Sequence, residues 1–581
     1  MADTLATTAT GATRLVEVLD RLGVELVFGL PGVHNLPIWK ALSESDIRLV
    51  GVRHEQTAAY AADGYARATG KLGVALVTTG PGAANTLGGV GEAMAAGSSV
   101  LVIATDVSTA LRRAGVYRGT LHETRDQTAM FHPVTKDAVL VGTADEIGDA
   151  VLTAGSAALT APTGPVYVGI PTNLLSQPVS DEAVSPVAPA AAPAPAADPS
   201  PRAAPSPRAA PSPRAAPSPT AAPALPRALI EQACDLLANA ERPLIWAGGG
   251  ALRAGAGALV GELAVKLAAP VVTTYMGRGL LPPDHPCAVP GPAAAREVGD
   301  IWDEADVVLG VGTDFDGTNT QNWQMPQPPA LISINVDEAD ANKSYASDVT
   351  LLGDARLVLE QLVPRVDARA GLPELERRLA SIGSAVAAWV QDDDEQAAAL
   401  LDIVHRALPP ETVVVADMCI PGYWLGGYWR VPRPRKLGYP LGWGTLGFGF
   451  PASLGAGLAG VGPTVCVTGD GGFMYACGEL ATVVEARIPL TIVLVEDGGY
   501  GMLRYDQVQS GEEPFGVDLV QPDFAALAAS FGVPATTIEG FGPEFEQALV
   551  RSVASDEPEM LIVRAALKPP PTTSPRWYRS R

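Results

Sequence analysis

The chain has 581 residues, of which 47% are hydrophobic and 18% are charged, and its formal net charge is −23. This length accommodates three or four domains, each with its own core. The negative charge argues against general nucleic-acid binding and against adhesion to anionic membranes, and no apolar run is long enough to span a bilayer. The five cysteines form no CxxC pair and the N-terminus lacks a secretory signal pattern, so the expected location is the reducing cytoplasm.

Residues 1–178 alternate short apolar runs with helical patterns, which predicts a parallel sheet covered by helices. Glu55, in the phrase Arg-His-Glu-Gln, follows the strand candidate at 47–52 and precedes a helix of small residues at 57–67. It is therefore expected at the carboxyl edge of the first sheet. A glutamate in the first turn of a helix also has a simpler interpretation, because it stabilises the helix dipole.

The segment 179–225 differs sharply in composition. Pro, Ala, Ser and Arg dominate it, and the phrase PSPRAA repeats every six residues from Pro199. Such a segment buries too little apolar surface to order itself, so it is predicted to be an extended linker. The alternative is a basic interaction arm, although three regularly spaced arginines are few.

A second α/β domain is predicted over 226–365 and a charged helical connector over 366–395. The second domain contains the turn Gly248-Gly249-Gly250. That turn suits either tight packing of a helix on a strand or the close approach of a nucleotide, and tight packing is favoured because one glycine-rich turn is weak evidence.

A third α/β domain is predicted over 396–568, followed by a tail over 569–581. The fold class is therefore α/β, with three consecutive doubly wound parallel-sheet domains. In the third domain a buried strand at 464–468 leads into Gly469-Asp470-Gly471-Gly472, and the next strand, 490–495, leads into Asp497. A right-handed strand–helix–strand unit places both strand ends at one edge of the sheet, where open α/β sheets bind ligands.

Two carboxylates beside a glycine-rich turn suit Mg²⁺ that holds a diphosphate. Each motif alone also fits an ordinary loop, but the pair on this topology makes that interpretation weaker. The segment from Gly469 to Gly501 resembles the signature of thiamine-diphosphate enzymes. The resemblance implies Mg²⁺ ligation by Asp470, Asp497 and the carbonyl of Gly499, and diphosphate binding at Gly469, Gly471 and Gly472. The family's two asparagines are Glu496 and Asp497 here, and an aspartate keeps an oxygen ligand.

Two further segments resemble the same family. The stretch from Arg53 to Asn85 resembles its pyrimidine-binding segment, in which the residue at Glu55 hydrogen-bonds the cofactor's aminopyrimidine, and Gly80-Pro81-Gly82 resembles the turn beside that ring. The resemblance also implies that the carbonyl of Gly444 accepts from the exocyclic amine and that Leu446 props the cofactor in a bent shape. A hydrophobic turn before a core helix is the simpler interpretation of this last segment. The three domains thus correspond to pyrimidine-binding, central and diphosphate-binding domains.

Domain order and several phrases look most like acetolactate synthase large subunits. The resemblance implies a homodimer at minimum and a homotetramer as the expected assembly, with 2-oxo acid substrates. It also implies decarboxylation followed by addition to a second carbonyl. FAD stays open and its absence is favoured, since Gly312-Thr313-Asp314-Phe315-Asp316 departs from the Arg-containing phrase usual in FAD-binding members. The need for a regulatory subunit stays open as well.

The substrate region departs from the acetolactate pattern. Leu121-His122 stands where Phe-Gln is usual, Asp506 stands where a Trp is usual, and His34 falls where benzaldehyde-lyase-like enzymes have a histidine. His34 and His122 are therefore candidate catalytic residues beside Glu55, although a surface or core histidine is the simpler interpretation of each. The alternatives are a decarboxylase or carboligase of a larger substrate, or a cofactor-binding homologue without turnover, against which the presence of Glu55 argues.

Overall fold

The computed structural model describes residues 9–113, 116–180 and 225–571. Three separate sheets, in which every pairing of named strands is parallel, confirm the predicted α/β class. Most of the expected linker (181–224) and of the expected tail (572–581) lies outside the described residues. Within the described part of the chain, none of the helices is both long and apolar enough to cross a membrane.

The first domain contains a six-stranded sheet with strand order β2-β1-β3-β4-β6-β5. Its central strands are buried along their whole length, which explains their runs of Val, Leu and Ala. The strands are β1 Leu26–Gly29, β2 Arg48–Gly51, β3 Gly73–Val77, β4 Val100–Asp106, β5 Asp137–Leu140 and β6 Val166–Pro171. The α-helices are Gly11–Arg21, Leu36–Ser43, Glu55–Thr69, Pro81–Ala84, Leu87–Ala96 and Glu146–Leu159, with 3₁₀ turns at Thr128–Met130, His132–Val134 and Thr172–Ser176.

The middle domain contains a five-stranded sheet with strand order β11-β10-β9-β7-β8. The strands are β7 Pro243–Ala247, β8 Val271–Thr273, β9 Val307–Val311, β10 Ala330–Asn335 and β11 Val349–Leu352. The α-helices are Arg227–Asn239, Gly249–Arg253, Gly257–Leu267, Arg296–Glu304, Glu338–Asn342 and Ala355–Leu362, with 3₁₀ turns at Tyr275–Gly277 and Val363–Arg365. The helix Leu372–Asp393 follows and packs five of its apolar residues against the rest of the protein.

The third domain repeats the topology of the first, because its six strands follow the order β13-β12-β14-β15-β17-β16. The strands are β12 Val413–Ala416, β13 Leu437–Gly438, β14 Thr464–Gly469, β15 Leu490–Glu496, β16 Ala535–Glu539 and β17 Glu559–Arg564. The helices are Glu395–Ala407, Ile420–Tyr428, Gly449–Leu458, Asp470–Phe473, Leu480–Glu485, Gly501–Gln509, Phe524–Phe531 and Pro543–Val553, with a 3₁₀ turn at Cys477–Glu479.

The first and third domains pack directly on each other through one continuous hydrophobic core. The helix Glu55–Thr69 lies against the helix Gly449–Leu458, and two glycines permit the close contact. A Cβ on Gly64 would lie 1.9 Å from the carbonyl oxygen of Ala452, and one on Gly455 would lie 1.8 Å from that of Ala61. This contact fixes the carboxyl edges of the two sheets relative to each other within one chain.

Candidate functional site

Glu55 begins the helix Glu55–Thr69 at the carboxyl edge of the first sheet, as the sequence predicts. The side chain of His54 caps this helix by accepting from the backbone N–H of Gln56. Glu55 is only 9% exposed, and its Oε2 accepts a hydrogen bond of 3.0 Å from the side-chain amide of Asn85. A buried carboxylate held by one amide donor is suited to hydrogen-bond a ligand group at its other oxygen.

The turn Gly80-Pro81-Gly82 lies beside Glu55. A Cβ placed on Gly82 would lie 3.4 Å from the Oε1 of Glu55, so these residues share one corner of the sheet edge. Gly80 has φ +65°, a conformation that favours glycine, and its N–H donates to the Oε1 of buried Gln127 over 2.6 Å. The sequence analysis missed Gln127 and Asn85, because neither carries a motif that sets it apart from a structural amide.

The two candidate histidines are neighbours. The rings of His34 and His122 meet edge to face with their centroids 5.5 Å apart. The Nδ1 of His34 lies 2.7 Å from the hydroxyl of Thr79, at the carboxyl end of β3. Burial, followed by the charge of His122, lowers the pKa of His34 below its usual value. The structure therefore brings both imidazoles to the same edge of the sheet as Gly80.

His122 itself adopts φ +66°, and a Cβ on Gly80 would lie 2.5 Å from its carbonyl oxygen. The two positions are thus coupled sterically, and Gly80 is required for the close approach. Leu121, the neighbour of His122, is 73% exposed. The side chain of Leu121 therefore points to solvent and does not pack into the core beside the two imidazoles.

In the third domain, β14 and β15 are adjacent and parallel, so Asp470 and Asp497 come together as predicted. The Oδ2 of Asp470 accepts from the backbone N–H groups of Gly498 and Gly499, at 2.8 and 3.1 Å. A Cβ on Gly471 would lie 3.3 Å from the carbonyl oxygen of Gly499. Two carboxylates and one carbonyl oxygen therefore converge on the glycine-rich turn.

The electrostatics of this acidic pair suit a cation. Burial, followed by the charge of Asp470, raises the pKa of Asp497 to about 6. Burial also raises the pKa of Asp470, although backbone N–H donors oppose the effect. A divalent cation that prefers oxygen ligands would compensate for the lost hydration of the two carboxylates and would reduce the repulsion between them. Within the described residues, no three His, Cys, Asp or Glu side chains are grouped so that they could hold a metal ion.

Asp417, at the carboxyl end of β12, organises the turns around the acidic pair. It is fully buried, and its carboxylate accepts from the backbone N–H groups of Gly447 and Phe448 and from the hydroxyl of Thr468. A Cβ on Gly472 would lie 2.6 Å from its Oδ2. Burial raises the pKa of Asp417 to about 6, against the effect of these donors. The sequence analysis missed this residue, whose position directly after the buried run Val-Val-Val-Ala was the available signal.

Leu446 and Gly444 lie on the turn that Asp417 holds. The side chain of Leu446 lies 3.3 Å from where a Cβ on Gly472 would be, so Leu446 borders the glycine-rich turn 469–472. Gly444 has φ +76°, and its N–H donates to the carbonyl of Pro440 over 2.9 Å. The third-domain candidates therefore form one cluster: Gly444, Leu446, Gly469, Asp470, Gly471, Gly472, Asp497 and Gly499.

Within the described residues, no hydrogen bond or ion pair joins Glu55 to the acidic pair of the third domain. Glu55 instead binds Asn85, while the backbone N–H of His54 donates to Glu479 of the third domain. Glu55 therefore lies at the edge of one six-stranded sheet and the acidic pair at the edge of the other, and these two groups of residues are referred to as half-sites.

Three family models match the chain, and together they cover most of it. Residues 9–130 match the N-terminal TPP binding domain of thiamine pyrophosphate enzymes, residues 230–362 match the central domain, and residues 418–563 match the C-terminal TPP binding domain. The chain belongs to the thiamine pyrophosphate enzyme family. Both half-sites fall inside or beside the two TPP binding domains of this family.

Individual relatives in this family include several named activities. A probable 2-ketoarginine decarboxylase of Pseudomonas aeruginosa is 36% identical over 531 residues, which cover 90% of this chain and 89% of that protein. A probable acetolactate synthase large subunit of Methanocaldococcus jannaschii is 30% identical over 576 residues, covering 95% and 91%. The acetolactate synthase isozyme 2 large subunit of Escherichia coli is 30% identical over 562 residues, covering 95% of each chain.

A cavity of about 850 Å³ lies between the central domain of this thiamine pyrophosphate enzyme and its two neighbours, because Met94 and Lys136 of the first domain and Gly442 of the third also line it. It lies at the switch point between β7 and β9, where open α/β sheets bind ligands. The turn Gly248-Gly249-Gly250 lines it and also packs tightly, since a Cβ on Gly250 would lie 2.8 Å from the Cα of Gly312. The structure is thus consistent with both interpretations of this turn, which are tight packing and the close approach of a nucleotide. The expectation that FAD is absent stays a prediction.

Proposed function

We propose that this thiamine pyrophosphate enzyme uses Mg²⁺ and decarboxylates a 2-oxo acid. The observation that carries the proposal is the convergence of Asp470, Asp497 and the Gly499 carbonyl beside a glycine-rich turn, in a chain that also holds a buried Glu55 at the matching edge of its first domain. When bound, thiamine diphosphate supplies a carbon nucleophile and an electron sink for the loss of CO₂.

We propose that Glu55 binds and orients the cofactor's pyrimidine and moves a proton at that ring. Its Oε2 is already bonded to Asn85, which fixes the carboxylate in one orientation. The turn Gly80-Pro81-Gly82 is proposed to border the ring. It packs closely on the protein, because a Cβ on Gly80 would lie 2.5 Å from the carbonyl oxygen of His122 and one on Gly82 would lie 2.7 Å from the Cγ2 of Thr78. Positioned acid–base groups of this kind contribute about 10²–10⁴-fold to turnover.

The third-domain cluster is proposed to hold Mg²⁺ and the diphosphate. Asp470 and Asp497 supply negative charge, and Gly499 supplies a neutral oxygen. Gly444 and Leu446 are proposed to contact the organic part of the cofactor, because Asp417 holds their turn against Gly472. Asp417 is fully buried, so its proposed role is to position these turns and not to contact the substrate.

The two half-sites are proposed to be completed by a second copy of the chain. Apolar side chains are exposed next to the third-domain cluster: Trp443, Met474, Tyr475 and Leu503. Exposed apolar residues next to a polar site are typical of a surface that a partner covers. A homodimer, or a tetramer built from two such dimers, is therefore the proposed active assembly.

A larger 2-oxo acid is the proposed substrate, with the relative named as a 2-ketoarginine decarboxylase as one precedent. His122 stands where the acetolactate pattern has an amide, His34 lies beside it, and Leu121 replaces the larger Phe of that pattern. Asp506 is half-buried on the helix Gly501–Gln509, which follows the loop proposed to hold Mg²⁺. Burial chiefly raises the pKa of Tyr423, and the nearby charge of Asp506 adds to the effect. An aspartate here suits a substrate that carries a positive charge.

Acetohydroxy acid synthesis is the second candidate, because several relatives are acetolactate synthase large subunits. The two are separated by incubating the purified protein, with thiamine diphosphate and Mg²⁺, with pyruvate, 2-oxobutyrate, phenylpyruvate and 2-oxo-5-guanidinopentanoate. CO₂ release and products are measured for each. Faster turnover of a larger acid with an aldehyde product supports the decarboxylase. Fast pyruvate turnover to acetolactate supports the synthase, and no CO₂ from any acid overturns both.

A further inference from the structure

A second, smaller cavity of about 190 Å³ lies where all three domains meet. The first domain contributes Gly70 and Gly97 to its wall, the middle domain contributes Arg253 and Arg278, and the third contributes Arg435. It is separate from the residues proposed to hold the cofactor, none of which lines it. Its wall is unusual in this acidic protein, because it contains four arginines and neither an aspartate nor a glutamate.

Three of these arginines lack a carboxylate partner. Arg67 is neutralised, since it forms ion pairs with Asp63 at 2.7 Å and with Glu92 at 3.1 Å. Arg253, Arg278 and Arg435, by contrast, form no ion pair with any described residue. The chain has 63 acidic and 40 basic residues, yet none of the acidic ones lines this cavity.

Each of the three guanidinium groups donates a hydrogen bond to a backbone carbonyl. This bond fixes the position of the group, but it does not neutralise the positive charge. Arg253 donates to the carbonyl of Ala96 over 3.0 Å, at the end of the helix Leu87–Ala96. Arg435 donates to the carbonyl of Arg67 over 3.3 Å, near the end of another helix, and Arg278 donates to the carbonyl of Trp429. A guanidinium has five N–H donors, so these contacts leave most of them for another acceptor.

The surroundings disfavour three positive charges. Burial lowers the pKa of Arg278 to about 10. Arg253 is exposed, and its guanidinium is close enough to Arg435 for the two positive charges to repel each other. Arg278 and Arg435 are half-buried. An anion inside the cavity would relieve the repulsion and accept the remaining donors.

We propose that this cavity binds a phosphoryl group through Arg253, Arg278 and Arg435. Planar guanidinium groups match the geometry of phosphate oxygens, and a dianion balances most of three positive charges. The volume suits a single phosphoryl group. The larger central cavity shares Gly97, Gly249, Arg253 and Tyr275 with this one, so the group belongs either to free phosphate or to an organic phosphate that extends into the larger space.

The test is titration of the full-length protein with inorganic phosphate, AMP and adenosine by calorimetry, in a phosphate-free buffer with ionic strength held constant by KCl. Thermal unfolding is followed in parallel. We expect saturable binding of phosphate or AMP, a rise in melting temperature above the KCl control, and no binding of adenosine at equal concentration. AMP binding tighter than phosphate identifies an organic phosphate as the ligand, and equal affinity identifies free phosphate.

Arg253→Gln and Arg278→Gln should each weaken phosphate affinity by about tenfold or more, the usual effect of losing one charge-assisted contact. Arg433→Gln is the matched control, because Arg433 is close in sequence to Arg435 but is exposed and paired with Glu411. If the glutamine variants do not fold, Arg435→Lys replaces them in the test. Lysine keeps the positive charge but lacks the planar guanidinium that can donate to two phosphate oxygens at once. The proposal is overturned if wild-type protein shows no saturable binding of phosphate or AMP, or if these variants bind with wild-type affinity.

Discussion

The carboxylate of Glu92 in the first domain accepts a hydrogen bond from the hydroxyl of Thr445 in the third, over 3.1 Å. The same oxygen of Glu92 accepts from the backbone N–H of Trp443 at 3.2 Å, so the two bonds flank Gly444 on both sides. The other oxygen lies 3.1 Å from Arg67. The turn proposed to contact the cofactor is therefore held in place by the fully buried carboxylate of Glu92, which belongs to another domain.

Glu92→Ala should weaken thiamine diphosphate binding by about tenfold, because Gly444 loses the contacts that fix its turn. It should also lower the free energy of unfolding by about 3 kcal/mol, the usual cost of breaking a buried ion pair. Calorimetric titration with cofactor and Mg²⁺, together with chemical denaturation, measures both quantities. Glu360→Ala removes an exposed ion pair and serves as the control. Reduced stability with unchanged cofactor affinity would show that Glu92 only stabilises the fold.

Glu55→Gln should retain cofactor binding and lower turnover at least about a hundredfold, the scale of general acid–base assistance. Glutamine preserves the shape of the side chain and the oxygen that accepts from Asn85, but its amide does not act as an acid or a base. Turnover on the preferred 2-oxo acid and cofactor affinity are measured side by side. Glu485→Gln, in an exposed pair with Arg53, is the control. Wild-type turnover in Glu55→Gln would refute the role of this residue.

Asp470→Ala should abolish Mg²⁺-dependent retention of thiamine diphosphate, whereas Asp497→Asn should retain it. Alanine offers no oxygen ligand, but asparagine keeps a carbonyl oxygen. Without Mg²⁺, Asp497→Asn should also raise the melting temperature, because it removes a repulsive charge beside Asp470. Titrations with and without Mg²⁺ check the first statement, and thermal unfolding in EDTA checks the second. Equal cofactor affinity in wild type and Asp470→Ala would exclude the proposed metal site.

The buried centre of each sheet could be predicted from sequence, because its strands are uninterrupted apolar runs. β1 and β9 have the bounds that these runs indicate, at Leu26–Gly29 and Val307–Val311. Edge strands are harder to predict. β5 and β16 alternate irregularly between buried and exposed residues, so they carry neither a continuous apolar run nor a clean two-residue period.

The same limit applies to the site. Asp470 and Asp497 could be brought together from sequence, because one strand–helix–strand unit connects them. The position of Asp417 beside this pair could not be predicted in the same way. Asp417 follows β12, and only the order of strands in the sheet shows that β12 lies next to β14. Glu92 lies on a helix rich in Gly and Ala, and its partners at 443 and 445 are about 350 positions away. Contacts between domains follow from packing and have no local sequence signal.

The last prediction concerns the His34–His122 pair. The pKa of His34 is lowered, so the folded protein holds this ring neutral at pH values where an unfolded chain would begin to protonate it. The contribution of His34 to stability is therefore present at neutral pH and is lost as pH falls through the usual imidazole range near about 6.5. Catalysis that uses the neutral ring should decline in the same direction, on the acid side.

We expect activity to fall as the pH drops below about 6.5, toward the lowered pKa of His34. His122→Gln should move this decline to higher pH, because it removes the neighbouring charge that, after burial, lowers the pKa of His34. It should also shift preference toward pyruvate, because an amide at this position restores the acetolactate pattern. His34→Gln should remove the acid-side decline that the neutral ring causes. His405→Gln, at an exposed histidine, is the control. Rates on pyruvate and on a larger 2-oxo acid are measured across the range. Strong wild-type preference for pyruvate, together with an unchanged profile in His122→Gln, would show that the imidazole pair does not face the substrate.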